Sequence, residues 1–541
     1  MKNLKWKKVG SAVLATALAG SMVLPATAYA QGEIVQLEGG TSTQTNTAPE
    51  QVFLNKYSGT VRTQNFNDNW KFYLGDASGA QTPAFDDSSW DQVNLPHDYS
   101  IDQKYNRSMD GESGYLPGGT GWYRKSFTVD KSLEGKRISI DFGGVYMNAT
   151  IYVNGKKLGT HPYGYTPFSF DITDNVKFGK ENVIAVKVDH QTPSSRFYSG
   201  SGIYRDVDFV VTDTVHVDKN GTKIETPDLK EHVDGNNVAV KVKTTVVNES
   251  ERDASVKVKH TIYPKNGTAE QAVATFESQE AVAVEKGKSK DVSADFTASG
   301  VQLWSTTTPN LYTVKTEVLM DGATVDTYET DYGFRYFAFD KNNGFTLNGQ
   351  KMKLQGVCMH HDQGALGSVA NDRSTERQVE ILKMMGCNSI RVTHNPASDE
   401  LIDACNKHGI LVIDEAFDGW VAPKNGNSND YAKWFNKEIE SDNEIMGAAD
   451  NMTWAQFDLT AMIERGQNDP AIIMWSLGNE MWEGTGGYSA AYKTAQDNLV
   501  KWAQAADTTR PVTTGDNKLK GEEEGSITLA TVSYTHLRAH E

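Results

Sequence analysis

Residues 472–480 combine an apolar run with two side chains suited to acid chemistry. The run Ile-Ile-Met-Trp-Ser-Leu-Gly leads directly into Asn479 and Glu480. Buried parallel strands read as short continuous apolar runs, and in a (β/α)8 barrel the catalytic groups stand where such strands end. A carboxylic acid there, beside a hydrogen-bonding amide, suits protonation of a leaving group. The structural alternative is a Glu that caps the next helix or pairs with an Arg.

Polar side chains follow three other apolar segments in the same way. They are His360, His361 and Asp362, then Arg391, His394 and Asn395, and then Asp414, Glu415, Asp418 and Trp420. Because the carboxyl ends of parallel barrel strands share one rim, we expect these groups to surround Glu480. Arg391 is predicted to keep a neighbouring carboxylate ionised, with a purely structural salt bridge as the alternative.

The His and Asp residues of this rim do not have the spacing of a zinc site. The sequence contains no H-E-x-x-H motif, and His360 and His361 are adjacent rather than one helical turn apart. We therefore predict no metal and no cofactor. Recognition of sugar hydroxyls, which requires several polar partners around one ring, fits the set better.

The elements that must position these residues begin at residue 333. The pattern predicts strands over 353–358, 388–392 and 410–414, a strand from 472 and another from 511, with helices over 375–385, 399–407, 454–465 and 488–505. Regular alternation of strands and helices predicts a parallel sheet covered by helices. A TIM barrel fits best, over residues 333–531.

Residues 53–214 are predicted to form an antiparallel β-sandwich of the jelly-roll type. Segments 137–142, 149–153 and 182–188 alternate with a period of two. The pair Asn154-Gly155 is one that type I′ hairpin turns favour. Several strands with closely spaced turns are typical of sandwiches and jelly rolls.

Residues 215–332 are predicted to form a second β-sandwich. Segments 237–243 and 254–259 alternate cleanly between apolar and polar residues. The segment has the size of one immunoglobulin-like domain. It carries no constellation suited to chemistry, so we predict a spacer role.

The first thirty residues have the pattern of a secretory signal peptide. A basic region precedes an apolar run over 9–24, and Ala28-Tyr29-Ala30 is an A-x-A cleavage site. Residues 31–52 are polar and aperiodic, which predicts a flexible leader. We expect a secreted or cell-surface bacterial protein with no membrane insertion after signal cleavage.

Composition narrows the classes of partner. The formal net charge of −17 argues against nucleic acid or an anionic membrane, and mildly against a polyanionic substrate. Cys358, Cys387 and Cys405 are odd in number and clustered, which predicts free buried thiols rather than a disulfide framework.

Seven motifs together resemble one known family. They are Asn-Leu-Pro-His-Asp-Tyr at 94–99, Gly-Trp-Tyr-Arg at 121–124, Ser-Gly-Ile-Tyr-Arg-Asp-Val at 201–207, and the barrel segments 356–367, 391–396, 414–418 and 476–480. As a set they resemble glycoside hydrolase family 2, and most of all its exported bacterial β-galactosidases. The resemblance covers roughly residues 60–520. It implies a sugar-binding jelly roll, an immunoglobulin-like domain and a TIM barrel.

The resemblance also implies roles for individual residues. Glu480 resembles the general acid/base, and Asn479 the partner of the sugar 2-hydroxyl. Arg391 resembles the residue beside the nucleophile. The predicted contacts to the sugar ring and its hydroxyls are His360, His394, Asp418 and Asp430.

Two local comparisons refine this resemblance. The run His-His-Asp-Gln-Gly-Ala-Leu-Gly at 360–367 resembles galactosidases better than glucuronidases or mannosidases. Some relatives bind magnesium through a Glu-x-His pair just after the third strand. Residues 417–420 read Phe-Asp-Gly-Trp and lack that pair, so we expect no such ion.

The resemblance implies that the nucleophile is a second Glu at the end of the seventh barrel strand. Residues 353–480 supply four strands and a fifth opens at residue 511, so the nucleophile strand is expected beyond Glu541. Glu522, Glu523 and Glu524 lie in a charged run that reads as a solvated loop, and we do not expect any of them to be the nucleophile. Residues 532–541 do not continue the family pattern and are expected to be non-native, from a frameshift or an assembly scar.

The sequence therefore predicts a secreted retaining β-galactosidase that acts on β-galactoside oligosaccharides or glycans by double displacement. The 541-residue chain itself is expected to be inactive. One alternative is a β-glucuronidase or another β-glycosidase of the same family, because part of the sugar-recognition surface lies downstream. A second alternative is a carbohydrate-binding protein that has lost catalysis.

Overall fold

The computed structural model describes residues 55–59, 61–481 and 489–515. The predictions for the signal peptide, the leader, Glu522, Glu523 and Glu524, and residues 532–541 lie outside these ranges. Among the described helices, none is both long enough and apolar enough to cross a membrane.

The first domain is a β-sandwich of two sheets. Its strands are β1 (Lys56–Tyr57), β2 (Thr63–Asn65), β3 (Trp70–Leu74), β4 (Asp91–Val93), β5 (Gly119–Val129), β6 (Arg137–Phe142), β7 (Ala149–Val153), β8 (Lys156–His161), β9 (Phe168–Asp171), β10 (Glu181–His190) and β11 (Val207–Thr212). One sheet has the order β4-β3-β5-β10-β7-β8, with β1 beside β5, and the other has the order β2-β11-β6-β9.

Alternation along the strands determines which side chains enter the sandwich core. In β6, Ile138, Ile140 and Phe142 are fully buried, whereas the residues between them are partly exposed. Strands β7 and β8 are joined by Asn154 and Gly155, with φ values of 50° and 89°. A type I′ turn requires positive φ at both central residues, so this pair sets the register of the hairpin.

The second domain is also a sandwich. Its strands are β12 (Val215–Glu225), β13 (Val238–Asn248), β14 (Ala254–Pro264), β15 (Ala274–Glu277), β16 (Val282–Val284), β17 (Lys288–Ala298), β18 (Tyr312–Met320) and β19 (Ala323–Tyr332). One sheet has the order β12-β13-β17, and the other has the order β15-β14-β18-β19 with β16 beside β14. This is the size and layering of an immunoglobulin-like sandwich.

The third domain opens with a small antiparallel sheet and continues as a barrel. The small sheet contains β20 (Phe337–Asp340), β21 (Gly344–Leu347) and β22 (Gln350–Lys351). The barrel elements are β23 (Gly356–Met359), α1 (Asp372–Met384), β24 (Ser389–Val392), α2 (Asp399–His408), β25 (Leu411–Glu415), α3 (Ala432–Phe435), α4 (Trp454–Gly466), β26 (Ile472–Asn479), α5 (Ala490–Ala506) and β27 (Val512–Gly515). The five strands are parallel and adjacent in chain order.

This architecture confirms the predicted fold class of jelly-roll sandwich, immunoglobulin-like sandwich and TIM barrel. All eight residues of β26 are buried, as a continuous apolar run in a parallel sheet requires. The first barrel strand begins later than the predicted 353–358, because Gln350 and Lys351 pair with β21 and Met352 donates its N–H to Phe345. Helix α1 begins earlier than predicted, because the Asn371 side chain caps it by accepting from the Ser374 N–H.

The prediction of buried thiols is correct for one cysteine and wrong for another. Cys405 is buried, Cys387 is intermediate and Cys358 is exposed. Cys358 lies on β23, which within the described ranges pairs with β24 on one side only. Apolar neighbours along the chain therefore do not bury this thiol.

The first domain docks onto the barrel through buried polar contacts. Arg205 is 2% exposed and donates to the carbonyls of Tyr165 (2.7 Å), Pro396 (2.8 Å) and Ala397 (3.1 Å). Tyr163 donates its hydroxyl to the carbonyl of Ala416 at 2.6 Å. These bonds join the sandwich to the loops that follow β24 and β25, and so place one wall of the site.

Candidate active site

Glu480 is held at the end of β26 by an unusual backbone conformation. Its φ is 43°, in the left-handed region that costs a non-glycine residue about 1 kcal/mol. Its N–H donates to the carbonyl of Gly515 at the end of β27 at 2.6 Å. Conformations of this kind persist where the surroundings fix them, and they cluster at functional sites.

A buried ion pair lies beside this strand end. Arg391 of β24 donates to Glu415 of β25 through Nε (3.2 Å) and Nη2 (2.8 Å to Oε2). Glu415 is fully buried, and the Ser476 hydroxyl donates to its Oε2 at 2.6 Å. His394 Nδ1 lies 2.7 Å from Glu415 Oε1. One carboxylate therefore orients three side chains from neighbouring strands.

The charge state of Glu415 follows from these partners. Burial alone would raise its pKa, but the Arg391 charge and the hydrogen bonds of His394 and Ser476 outweigh burial and lower the pKa to about 2. The same pair raises the pKa of Arg391 against the opposing effect of burial. The predicted role of Arg391, which is to keep a nearby carboxylate ionised, is what this geometry provides.

Both polar atoms of the Asn479 side-chain amide are hydrogen-bonded. Its Oδ1 accepts from Arg391 Nη2 at 3.0 Å, and its Nδ2 donates to Asp418 Oδ1 at 3.1 Å. Lys424, which is 1% exposed, donates to the Asn479 carbonyl at 2.5 Å and to Asp418 Oδ1 at 3.1 Å. The amide beside Glu480 is thus oriented before any ligand arrives.

An arm of the first domain, residues 190–200, reaches into the barrel rim. Arg196 on this arm donates to Asp418 through Nε (3.0 Å) and Nη2 (2.7 Å), and through Nη1 to Glu480 Oε2 (3.2 Å). Burial raises the pKa of Asp418, but Arg196 and Lys424 outweigh it and hold the pKa well below its usual range. Two carboxylates of the barrel are therefore joined by one guanidinium from another domain.

Aromatic rings close the site on the same side. Phe197 on the arm packs against His360, with ring centroids 4.6 Å apart, and against His394 at 6.0 Å. The two histidine rings lie 5.4 Å apart in an edge-on arrangement. Burial and the neighbouring His394 lower the pKa of His360. The two predicted ring-contacting histidines therefore form one wall with Phe197.

Asp430 lines a small cavity of about 40 Å³ together with Asp418 and His394. Burial, with a smaller effect of Asp418, raises the pKa of Asp430 to about 6. Asn395, which is 1% exposed, also borders the cavity, and both polar atoms of its amide lack a hydrogen-bond partner among the described residues. A space of this size holds a few water molecules, which would satisfy such groups.

All seven predicted site residues come together in this region. In this region Arg196 bridges the carboxylates of Asp418 and Glu480, Arg391 pairs with Glu415, and the Asn479 amide links Arg391 to Asp418. Two other residues predicted on the rim face elsewhere. The His361 ring packs against Tyr165 and Tyr204 of the first domain, and the Asp414 carboxylate pairs with Arg465 of α4 at 2.8 Å. Successive strand residues point to opposite faces, so Asp414 faces away from the site when its neighbour Glu415 faces toward it. His361 lies in the bend after β23, where its ring packs on the first domain.

Three residues of the site were not singled out by the sequence: Arg196, Phe197 and Lys424. Arg196 and Phe197 follow Thr192-Pro193-Ser194-Ser195 in a stretch that reads as a loop. No periodicity marks them as partners of the barrel. The only sequence signal is that they directly precede the 201–207 motif.

Within the described ranges, one group of side chains has ligand atoms close enough together to hold a metal ion: Glu376, Glu380 and His408. It lies on α1 and α2, outside the site described above. Lys407 lies 2.6 Å from Glu376, and Arg373 lies 2.8 Å from Glu380. These cations already compensate the acidic charge, so we assign an ion-pair network on the helix surface.

Comparison with known proteins gives three consecutive family matches. Residues 63–213 match the model described as glycosyl hydrolases family 2, sugar binding domain. Residues 222–335 match glycosyl hydrolases family 2, and residues 340–537 match glycosyl hydrolases family 2, TIM barrel domain. The three matches follow one another without overlap and together span most of the chain.

Individual relatives agree with these matches. A β-galactosidase of Bacteroides ovatus is 39% identical over 84% of this chain and 54% of its own length. A putative β-glucuronidase of Formosa agariphila is 34% identical over 87% of this chain and 42% of its own length. The chain thus spans about half the length of the curated relatives it matches.

Solved structures show the same fold. A glycosyl hydrolase family 2 member from Bacteroides cellulosilyticus has a TM-score of 0.78 and 38% identity, and covers 85% of this chain and 57% of that one. A Bacteroides uniformis β-glucuronidase 2, covalently bound to cyclophellitol-6-carboxylate aziridine, has a TM-score of 0.69 and 30% identity, and covers 84% of this chain and 52% of that one.

Proposed function

Because the chain belongs to glycoside hydrolase family 2, we propose that its parent protein is a retaining hydrolase of terminal β-D-galactosides. In this proposal Glu480 protonates the glycosidic oxygen as the aglycone leaves. A second carboxylate, from a barrel strand after residue 515, forms the galactosyl-enzyme. Glu480 then acts as base and removes a proton from the water that hydrolyses it.

The observation that carries the proposal is the geometry at the end of β26. Glu480 is held in a left-handed conformation, and its neighbour Asn479 has its amide fixed by Arg391 and Asp418. A general acid must be within hydrogen-bond reach of the atom that it protonates, so a fixed carboxyl beside a fixed amide suits the role. Asn479 is assigned to the sugar 2-hydroxyl.

The surrounding residues are assigned to the remaining sugar contacts. His360 and His394 contact the ring, and Asp418 and Asp430 accept from its hydroxyls. Arg391 stands beside the nucleophile and, through Glu415, holds the wall of the site in place. The first sandwich contributes Arg196, which joins Asp418 to Glu480.

Support for a galactoside comes from the 39% identity to a β-galactosidase and from the run at 360–367. A β-glucuronide is the second candidate substrate, because several relatives are named β-glucuronidases. Arg196 and Lys424, two cations beside Asp418, would favour a uronate carboxylate over a neutral hydroxymethyl group.

Two further proposals concern the protein rather than its site. We propose export to the cell surface or medium, on the basis of the basic, apolar and A-x-A segments of the first thirty residues. We also propose that the 541-residue polypeptide does not turn over substrate in isolation, because a retaining glycosidase needs two carboxylates about 5–5.5 Å apart. The partner of Glu480 is assigned to a later strand.

The test compares the 541-residue chain with the longer protein encoded by the source gene, re-sequenced through and beyond codon 520. Both are assayed on nitrophenyl β-D-galactoside and nitrophenyl β-D-glucuronide. The longer protein is expected to hydrolyse the galactoside, and the 541-residue chain to hydrolyse neither. If the longer protein hydrolyses the glucuronide faster than the galactoside, the substrate is a β-glucuronide and the galactoside proposal is wrong. Turnover by the 541-residue chain would overturn its proposed inactivity.

The role of Glu480 is tested in the longer protein by Glu480→Gln. Loss of a general acid typically costs about 10²–10⁴-fold in rate. The loss in kcat/KM, which reports the step that releases the aglycone, should be large for lactose, whose leaving alcohol needs a proton, and smaller for a nitrophenyl galactoside, whose leaving group does not. Glu251→Gln, at an exposed glutamate of the second domain, is the control. Equal losses in kcat/KM on both substrates would contradict the acid role.

A further inference from the structure

We propose that residues 101–118 of the first domain, which we call the tyrosine loop, form a platform for the aglycone sugar of the substrate. The ring contacts are assigned to Tyr105 and Tyr115. This inference rests on the proposed function, because it concerns the part of the glycoside that lies beyond the sugar held at Glu480. It adds a second binding position to the site.

The two tyrosines are unusual in their exposure. Tyr105 is 78% exposed and Tyr115 is 51% exposed, whereas Tyr99, Tyr123 and Tyr146 of the same domain are buried. Tyr115 also has a φ of 60°, a conformation that bulky side chains rarely adopt. Two exposed aromatic rings, one of them held in a strained backbone, indicate a contact surface rather than core packing.

Hydrogen bonds within the tyrosine loop hold the backbone that carries these two rings. The Gln103 side chain donates to the carbonyls of Pro117 (3.1 Å) and Gly118 (3.0 Å), so the two ends of the loop are tied together. The N–H of Asn106 donates to the Tyr115 carbonyl at 2.9 Å, which brings the two tyrosine-bearing segments side by side. A compact loop with tied ends displays its side chains with little ordering cost on binding.

The tyrosine loop lies against the arm that carries Arg196. A Cβ built on Gly114 would stand 3.8 Å from the Tyr198 ring. The Thr192 hydroxyl donates to the sulfur of Met109 at 3.9 Å. Tyr198 is two residues from Arg196, so the tyrosine loop lies beside the segment that enters the site, and we infer that its tyrosines border the mouth.

The tyrosine loop also contacts the barrel. Asn425 donates its side-chain amide to Glu112 at 2.5 Å, and the preceding residue, Lys424, is the one that holds Asp418 and Asn479. Asp98, which precedes the tyrosine loop in the chain, accepts from the Tyr198 hydroxyl and from the N–H of Ser368. Ser368 follows the first barrel strand. The platform is therefore continuous with the rim that surrounds Glu480.

The chemistry of this surface fits a neutral sugar ring. A pyranose presents C–H groups on its flat faces, which pack on aromatic rings, and hydroxyls at its edge, which bond to polar neighbours. Asp102 and Glu112 are carboxylates of the same loop, and their charge opposes a sulfated or uronic aglycone. The proposed occupant is the neutral sugar on the aglycone side of a β-galactoside.

The test measures binding of uncleaved sugars to the 541-residue chain by titration calorimetry. Methyl β-D-galactoside reports the glycone position, and lactose reports both positions. The variant combines Tyr105→Ala with Tyr115→Asn, because Asn tolerates the left-handed conformation at 115. It is expected to weaken lactose binding by about tenfold and to leave methyl galactoside binding unchanged. Tyr73→Ala, at an exposed tyrosine on β3, is the matched control.

The outcomes separate the platform from the proposed function. Unchanged lactose binding in the double variant, or equal weakening of both ligands, overturns the platform. If the wild-type chain binds a β-glucuronide rather than a galactoside, the substrate assignment fails, and the same comparison is made with methyl β-D-glucuronide and a glucuronide disaccharide. A wild-type chain that binds no disaccharide more tightly than its monosaccharide also overturns the platform.

Discussion

Replacement of Glu415 by glutamine should destabilise the barrel by a calculable amount. The substitution keeps the size of the side chain but removes the charge that compensates Arg391, whose side chain is 4% exposed. Breaking a buried pair by removing one partner typically costs about 3–5 kcal/mol, because the other charge stays buried without compensation. The pKa of Glu415 gives an independent value for this cost.

The pKa of this carboxyl falls from 4.5 to about 2 in the folded protein. At about 1.4 kcal/mol per unit, the difference corresponds to about 3 kcal/mol of stability at pH 7. Because the folded pKa is the lower one, this contribution is complete above pH 4.5 and is lost as the pH falls toward 2. At pH 3.5 it should have decreased to about 2 kcal/mol.

The assay is urea unfolding of wild type and Glu415→Gln at pH 7 and pH 3.5, followed by tryptophan fluorescence. Trp420 and Trp475 are buried in the same domain and report its unfolding. Glu251→Gln, at an exposed ion pair of the second domain, should leave the transition unchanged at both pH values. An unchanged free energy of unfolding for Glu415→Gln at pH 7, or an equal loss at both pH values, would refute the reasoning.

Three further predictions concern other buried charges. Burial and the Asp399 charge raise the pKa of Glu400 from 4.5 to about 7, so its contribution is complete below pH 4.5 and is lost as the pH rises through 7. At about 1.4 kcal/mol per pKa unit, Glu400→Gln should stabilise the protein by about 3 kcal/mol at pH 8 and not at pH 4 in thermal melts, and the opposite order would contradict this. Arg205→Met leaves several buried carbonyls without a donor and should lower the free energy of unfolding by about 3 kcal/mol, measured by urea unfolding. A decrease of less than about 1 kcal/mol would show that water replaces the guanidinium. Arg196→Ala removes the link between Asp418 and Glu480 and should lower kcat/KM of the longer protein roughly 10–100-fold. Arg196→Lys should recover little of this loss, because an ammonium cannot replace a bidentate guanidinium. Full activity of either variant would show that Arg196 is not part of the site.

The sequence by itself determined the order of the three domains and most of the polar residues at the barrel rim. Period-two alternation predicts the sandwich strands because a strand shows opposite faces to core and solvent. The continuous apolar run at 472–477 predicts a buried parallel strand, and its end places Asn479 and Glu480 at a rim. These signals are local, since each depends on residues close together in the chain. The seven predicted site residues fall in one region, but the selection of Asp430, which follows no strand end, rests on the family resemblance and not on a local pattern.

Only the tertiary structure decided which neighbours these residues meet. Arg196 reaches Glu480 across 284 positions of sequence, and no local pattern encodes a contact between domains. Asp414 faces away from the site because of strand register, and a register shift of one residue would reverse that without any change in composition. The His361 ring lies away from the site because it packs against Tyr165 and Tyr204 of the first domain. The exposure of Cys358 depends on which strand lies beside β23. These contacts and exposures follow from long-range packing. The position that a side chain adopts depends on partners that are distant in the sequence and come close only in the folded protein.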